Sequence, residues 1–132
     1  MNTTYFLNLV AGNVMGTQTD PAIPGKYYLA LSQEAPSLDG TGVVEPDSEA
    51  GYARIEMTNL SAPVDGVITN NSELAFNEST GDWGVLTHYG IFDAETGGNL
   101  LMYEALTQSR TVETGTVMVV RPGYLKLSVI NP

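Results

Sequence analysis

The chain has 132 residues, of which fifteen are Asp or Glu and five are Lys or Arg, so its formal net charge is −10. That length fits one domain with its own core, and the absence of cysteine excludes disulfide bonds and thiolate metal sites. Five scattered basic residues cannot form a phosphate-binding stripe, and an anionic membrane would repel the chain, so nucleic acid and membranes are disfavoured as partners.

Residues 1–16 are the one good candidate for a helix. The Asn-Thr-Thr run at positions 2–4 can supply an N-cap oxygen. Gly12 or Gly16 can end the helix, since glycine readily adopts the left-handed conformation. Residues 17–25 contain two prolines and are predicted to be a connector. Apolar side chains recur near helical spacing: Tyr5, Phe6, Leu9 and Val10.

From residue 26 onward the hydrophobic period changes to two, which is typical of β-strands. The first predicted strand, 26–32, places Tyr27, Leu29 and Leu31 on one face. A loop rich in Gly, Pro and acidic residues spans 37–50. The second predicted strand, 52–58, alternates cleanly, so we expect Ile55 to point inward and Arg54 to point into solvent.

The middle of the chain contains two short predicted strands and one long one. Residues 67–69 and 73–76 flank an Asn-Asn pair that tolerates tight turns. Residues 85–93 carry apolar side chains on both faces, which favours a central position in a sheet. After a short turn, residues 99–106 are predicted to return as the hairpin partner of that strand.

The last two predicted strands, 116–121 and 124–130, flank Pro122-Gly123. Proline fixes φ at the first central position of a type II turn, and glycine supplies the positive φ of the second. The pattern therefore predicts a second hairpin, with Leu125 and Leu127 facing the core.

Seven or eight short strands after one helix predict an all-β protein, because the strands do not alternate with helices. The expected architecture is an antiparallel β-sandwich of jelly-roll or immunoglobulin-like type, or a flattened barrel. We predict a single domain over 1–132, with the N-terminal helix in 1–16 and the β-domain in 26–132.

Residue types that could carry catalysis are present without the partners that catalysis needs. His88 is the single histidine, and no signature supplies a nucleophile or an orienting carboxylate, so we interpret it as structural. No catalytic, cofactor or metal site is predicted. Calcium in the acidic loop 39–49 remains the alternative, although its spacing is not that of the helical calcium loop. Four acidic residues near one hairpin are interpreted as surface charge: Asp82, Asp93, Glu95 and Glu104.

Aromatic side chains offer one further alternative. On many β-sandwich modules such rings form a platform on which sugars stack, but more often they fill the core with a polar tip at the surface. The candidates for such a platform are Tyr52, Trp83, Tyr89 and Tyr103.

Three stretches carry a family resemblance: KYYLALS from Lys26, GYAR at 51–54 and GDWGVLTHYGIFDAETGGNLLMYEAL at 81–106. With the helix that precedes them, they resemble a family of small bacteriophage structural proteins, also found in prophages and described as tail-fibre proteins. The resemblance spans nearly the whole chain. It implies a compact β-fold and a non-enzymatic virion component, and it supplies no catalytic residue.

A chain of this length is too short for a complete fibre with shaft and tip. We therefore expect a capsid-decoration or tail-associated subunit, made in the host cytoplasm, that joins other virion proteins as a homo-oligomer or symmetric array. A carbohydrate-binding module for host surface glycans is the alternative function. The predicted assembly surface comprises Tyr5, Phe6, Leu9, Tyr27 and Tyr28. Equally open is that the helix covers the core of its own domain.

Overall fold

The computed structural model describes residues 1–129, and the expected all-β class with one N-terminal helix is confirmed. The helices are α1 (Thr4–Met15) and a 3-10 helix (Ser48–Ala50). The strands are β1 (Tyr28–Ser32), β2 (Ile55–Glu56), β3 (Val67–Thr69), β4 (Leu74–Ala75), β5 (Gly84–Phe92), β6 (Leu100–Val112), β7 (Val119–Val120) and β8 (Lys126–Ser128).

Helix α1 begins and ends with the capping chemistry that its sequence predicts. The Oγ1 of Thr3 accepts a hydrogen bond from the Phe6 amide at 3.3 Å. Gly16 ends the helix in the left-handed conformation, with φ 72°. Between these caps, Phe6 and Leu9 pack against Leu101 of β6. Within residues 1–129, no helix is long and apolar enough to cross a membrane.

The main sheet is antiparallel and has the strand order β2-β1-β5-β6. Strand β5 lies between β1 and β6, which is the central position that its two apolar faces predict. Leu29 of β1 lies opposite Ile91 of β5, and both point into the largest cluster of buried side chains. On the other face, Ala30 packs with Phe92 and Leu100. The centre of the sheet is therefore covered on both sides.

The hairpin of β5 and β6 contains a large bulge in β6. Cα pairing moves from Leu86–Arg110 to His88–Ala105, so four residues of β6 bulge opposite a single residue of β5. A bulge of this kind bends the strand and interrupts its ladder of hydrogen bonds. Strand β6 therefore does not present a long straight edge to a strand of another molecule.

The strands outside the main sheet pair across long sequence distances. Strand β3 pairs with β8, and β4 pairs with β7. The predicted hairpin of 116–121 with 124–130 is therefore wrong in its pairing. The type II turn itself is present, since Tyr124 N donates to Arg121 O at 3.1 Å and Gly123 has φ 81°. The end of that predicted strand, Ile130, lies outside the described residues.

A buried asparagine bonds to the backbone of this turn and of the residue after it. Asn70 Nδ2 donates to Ser72 O and Arg121 O, each at 2.9 Å. Its Oδ1 accepts from Leu125 N at 3.0 Å, and its backbone carbonyl accepts from Gly123 N at 2.8 Å. Besides the Tyr124 N–Arg121 O bond that closes the turn, backbone groups of Arg121, Gly123 and Leu125 thus bond to Asn70.

Three aromatic rings fill the main core. Tyr52 and Trp83 meet edge to face with ring centroids 5.4 Å apart, and Phe76 stacks against Tyr52 at 6.3 Å. Within the described residues the sheets form an open, sandwich-like arrangement and do not close into the flattened barrel that was the other expectation.

Candidate functional site

The predicted assembly residues are largely turned inward. Phe6 and Leu9 are buried in the cluster that joins α1 to the sheet, while Tyr5, Tyr27 and Tyr28 are half-buried. Burial raises the pKa of Tyr27 above its ordinary value. The apolar face of α1 therefore covers the core of its own domain, and only parts of the three tyrosines remain at the surface.

An apolar cavity of about 190 Å³ lies where α1, the main sheet and the β3–β8 pair meet. Phe6 and Tyr27 form part of its wall, so these two residues of the predicted surface line a partly open apolar pocket. The other lining residues are Met57, Leu60, Gly66, Ile68, Ile91, Met102, Leu127 and Val129. None of the lining side chains is charged.

The four aromatic residues considered for sugar stacking do not form an exposed platform. Trp83 is 1% exposed, and its Nε1 donates to Ala50 O at 2.9 Å. Tyr52 is buried beside it, whereas Tyr89 and Tyr103 are half-buried in the main sheet. Because stacking needs a free ring face, the burial of Trp83 and Tyr52 counts against a glycan platform at these residues.

A buried arginine, which sequence reasoning placed in solvent, joins two distant segments. The Arg54 side chain is 7% exposed, and its Nε and Nη2 donate to both carboxylate oxygens of Glu45 at 2.8 and 2.9 Å. Its Nη1 donates to Ala94 O at 2.9 Å and Gly97 O at 2.7 Å. The guanidinium also lies 3.6 Å from the ring centroid of Phe92.

The expectation that Arg54 points into solvent is therefore wrong, and the physical reason is the loop that precedes it. That loop brings Glu45 over the solvent side of the 52–58 segment, so Arg54 becomes an interior contact while Glu56 on the same side stays exposed. Alternation of polar and apolar residues predicts which face of a strand each side chain occupies. It does not predict whether a loop from elsewhere in the chain covers the polar face.

The electrostatics of this cluster are internally matched. Burial alone would raise the pKa of Glu45, but the hydrogen bonds from Arg54 and Tyr52 and the charge of Arg54 lower it below its ordinary value. Burial, and then the hydrogen bond to Glu45, raise the pKa of Tyr52. Tyr52 OH donates to Glu45 at 2.7 Å and accepts from Leu31 N at 3.1 Å. At neutral pH the carboxylate of Glu45 is thus ionised and the hydroxyl of Tyr52 is neutral.

A groove of about 370 Å³ is lined in part by this cluster, since Glu45, Tyr52 and Arg54 all border it. Glu95 and Thr96 from the β5–β6 turn form one wall, and Pro46 and Ser48 form the other. Since the guanidinium of Arg54 is already bonded on three of its nitrogens, the cluster joins the two walls and does not offer a free cation to a ligand.

Two other carboxylates of the acidic loop 39–49 bond within the loop. Asp39 accepts hydrogen bonds from Thr41 N and Thr41 Oγ1, and Asp47 caps the 3-10 helix by accepting from Glu49 N at 2.9 Å. In the part of the chain that the structure describes, no group of three or more His, Asp or Glu side chains could hold a metal ion.

The remaining acids near the β5–β6 hairpin also make local contacts. Asp82 accepts from Thr114 N at 2.9 Å, and Asp93 accepts from Asn99 N at 2.7 Å. These bonds tie together the ends of the hairpin. Glu95 lines the groove beside Arg54, Glu104 pairs with the amino group of Met1 at 3.1 Å, and His88 Nδ1 lies 2.8 Å from Thr87 Oγ1. The structure does not bring these side chains to one shared pocket.

Comparison with known proteins bears on the family resemblance. A family model described as podophage GP4 fiber I protein gp80 matches residues 2–128. Curated proteins gave no match to the chain. The match covers α1 and all eight described strands, and the resemblance to phage tail-fibre proteins is confirmed. The chain therefore belongs to the family of the podophage fiber I protein gp80.

Proposed function

We propose that the chain is a non-enzymatic, fibre-associated structural subunit of a phage virion that acts through contacts with other virion proteins. The family match over residues 2–128 carries this proposal, because it spans the folded domain from α1 to β8. The family is described by a fibre protein, so a position on the tail is proposed ahead of capsid decoration.

The contacts of the polar side chains support a structural role. A general acid or base must face a shared pocket with the group that it acts on. Glu45 and Arg54 instead neutralise each other, and Asp82 and Asp93 hold backbone amides at the ends of the β5–β6 hairpin. Such bonds stabilise the fold.

No observation favours the glycan-binding alternative. That reading needs Trp83 or several tyrosines exposed in a cleft, whereas Trp83 and Tyr52 fill the core. A Trp83→Ala variant would also remove core packing, so loss of binding in that variant would not identify a sugar site.

Quantitative mass spectrometry of purified phage particles, combined with a cryo-EM map, tests the proposed function. The expected result is a fixed copy number per particle and density for this β-domain at a fibre or its attachment point. A phage enzyme made in the same infected cells serves as the negative control. Absence of the chain from purified particles, or density for it only on the capsid surface, would overturn the proposal.

A further inference from the structure

Helix α1 carries a second apolar stripe on the side that faces away from the core. Leu7, Ala11, Val14 and Met15 follow the spacing i, i+4, i+7 and i+8, which places them on one helical face. Val14 is 71% exposed and Met15 is 76% exposed; Ala11 is also exposed and Leu7 is half-buried. Since α1 buries its other face in the domain, this stripe is not used by its own core.

The stripe lies in a segment without charged side chains. Residues 1–19 contain no Asp, Glu, Lys, Arg or His, although the whole chain has a net charge of −10. One acidic residue lies near each end of α1: Asp39 near its first turn and Asp20 near its last. Thr4 N donates to the carbonyl of residue 38 at 2.9 Å, and Asn13 Nδ2 donates to that of residue 21 at 3.3 Å.

We propose that this stripe is the surface through which two copies of the chain associate, with their α1 helices packed antiparallel about a two-fold axis. Two molecules of charge −10 repel each other over most of their surfaces. A face without charges is where identical acidic chains approach at the lowest electrostatic cost. A two-fold axis uses the same patch twice, and antiparallel helices also place opposite dipole ends together.

The geometry of α1 sets the expected strength and the salt dependence of this contact. Twelve residues span about 18 Å, and the small side chain of Ala11 near the middle allows a close approach of the axes. One helix pair buries an area at the low end of specific interfaces, so dissociation constants of about micromolar or weaker are expected. Added salt should strengthen the association, because it screens the acidic rim on both copies.

This self-association deepens the proposed function and rests on it, since a fibre subunit held in several copies can use such a surface for contacts between the copies. Sedimentation velocity on the full chain, over a range of concentrations at low and high salt, measures it. As the protein concentration increases, the average mass of the sedimenting species should rise from 14.1 kDa toward twice that value. Val14→Glu should raise the dissociation constant at least about tenfold, since it places a charge in the contact.

Val64→Glu is the matched control. Val64 is 70% exposed and lies in the turn before β3. Its replacement by glutamate adds the same negative charge as Val14→Glu, but away from the stripe. This variant should associate like the wild type, and far-ultraviolet circular dichroism should show both variants folded, because neither valine is buried. A wild type that stays monomeric at every concentration and salt, equal association of the two variants, or association that weakens with salt would each overturn the self-association.

The two proposals fail in distinguishable ways. If the isolated chain is monomeric and the particle map shows a different virion protein on α1, self-association is overturned and the proposed function stands. If the chain self-associates through α1 but is absent from purified particles, the proposed function is overturned, while the assignment of the α1 surface stands as a property of the protein alone.

Discussion

Replacing Arg54 by methionine removes the guanidinium but keeps an unbranched stem of similar length. The wild-type side chain is 7% exposed and bonds both oxygens of Glu45, whose own side chain is 25% exposed. The substitution also releases the carbonyls of Ala94 and Gly97, and it removes the cation from the ring of Phe92. Arg54→Met should therefore destabilise the fold by separating the 45–54 segment from the β5–β6 turn.

The size of the effect follows from the burial of the two partners. Removing one member of a fully buried ion pair costs about 3–5 kcal/mol, because the other charge stays buried without compensation. Water can reach the exposed quarter of Glu45, so we expect a loss of about 2–3 kcal/mol in the free energy of unfolding. A domain of this size would then unfold about 10 °C lower.

Urea unfolding of the wild type and the variant measures this loss, with Arg110→Met as the matched control. Arg110 is exposed on β6, so its replacement should change the free energy of unfolding by less than about 0.5 kcal/mol. A double-mutant cycle with Glu45→Gln should show a coupling of at least about 1 kcal/mol between Arg54 and Glu45.

The pH dependence of the free energy of unfolding gives an independent check on the contribution of the Glu45–Arg54 pair. The pKa of Glu45 is lower in the folded chain than its ordinary value of 4.5, so its stabilisation is present above that pH. That stabilisation is lost as the pH falls through the lower, folded value. The stability difference between wild type and Arg54→Met should therefore narrow on acidification below about pH 4.5. Equal stability of Arg54→Met and Arg110→Met, or a coupling near zero, would refute the reasoning.

Three further outcomes are expected. Asn70→Ala should lower the free energy of unfolding by about 2–4 kcal/mol in urea unfolding, since it orphans buried backbone groups, whereas exposed Asn71→Ala should change it by less than about 0.5 kcal/mol. Leu9→Ala should cost about 2–5 kcal/mol in the same assay, because it leaves a cavity under α1, and exposed Val64→Ala should be close to neutral. Burial, and then a nearby carboxylate, raise the pKa of Tyr89 to about 12 from 10.0, so stability should fall as the pH rises between these values, and less so in Tyr89→Phe.

The elements that could be predicted are those whose signals are local. The helix could be placed because residues 2–4 and the glycines at 12 and 16 are local capping signals, of which the structure uses Thr3 and Gly16. Strands β1 and β5 could be placed because alternation and apolar faces act over a few residues. Tyr124 N and Arg121 O close the expected type II turn for the same reason, since its geometry depends on Pro122-Gly123 alone.

Strand pairing could not be predicted from the same signals. Strand β8 is joined to β3, and β7 to β4, over separations of about 45 to 60 residues. Asn70 ties the 121–125 segment to the region of β3 through bonds that span about fifty residues, and a contact of that range leaves no signal in the local pattern. The sequence around an Asn-Asn pair does not show whether an asparagine is buried and bonded to a distant segment or exposed in a turn.

The inward placement of functional candidates has a similar cause. Phe6, Leu9 and Trp83 are typical both of interfaces and of cores, and their residue types do not separate the two. The structure separates them by geometry, since Leu101 covers Leu9 and the carbonyl of Ala50 accepts from the Trp83 indole. The face of α1 that remains free was hidden in the sequence because Val14 and Met15 lie beyond the last buried position of the helix.

Burying Arg54 also changes what the net charge means for assembly. Arg54 and Glu45 neutralise each other inside the fold, which leaves four basic and fourteen acidic residues for the rest of the molecule. The acids outside the pair therefore outnumber the bases more than threefold, and any contact between copies across them is opposed. Contacts within an assembly must then use either a basic surface on a different protein or a surface without charges on this one. Residues 1–19 provide such a surface, which is why the stripe on α1 is the place to test first.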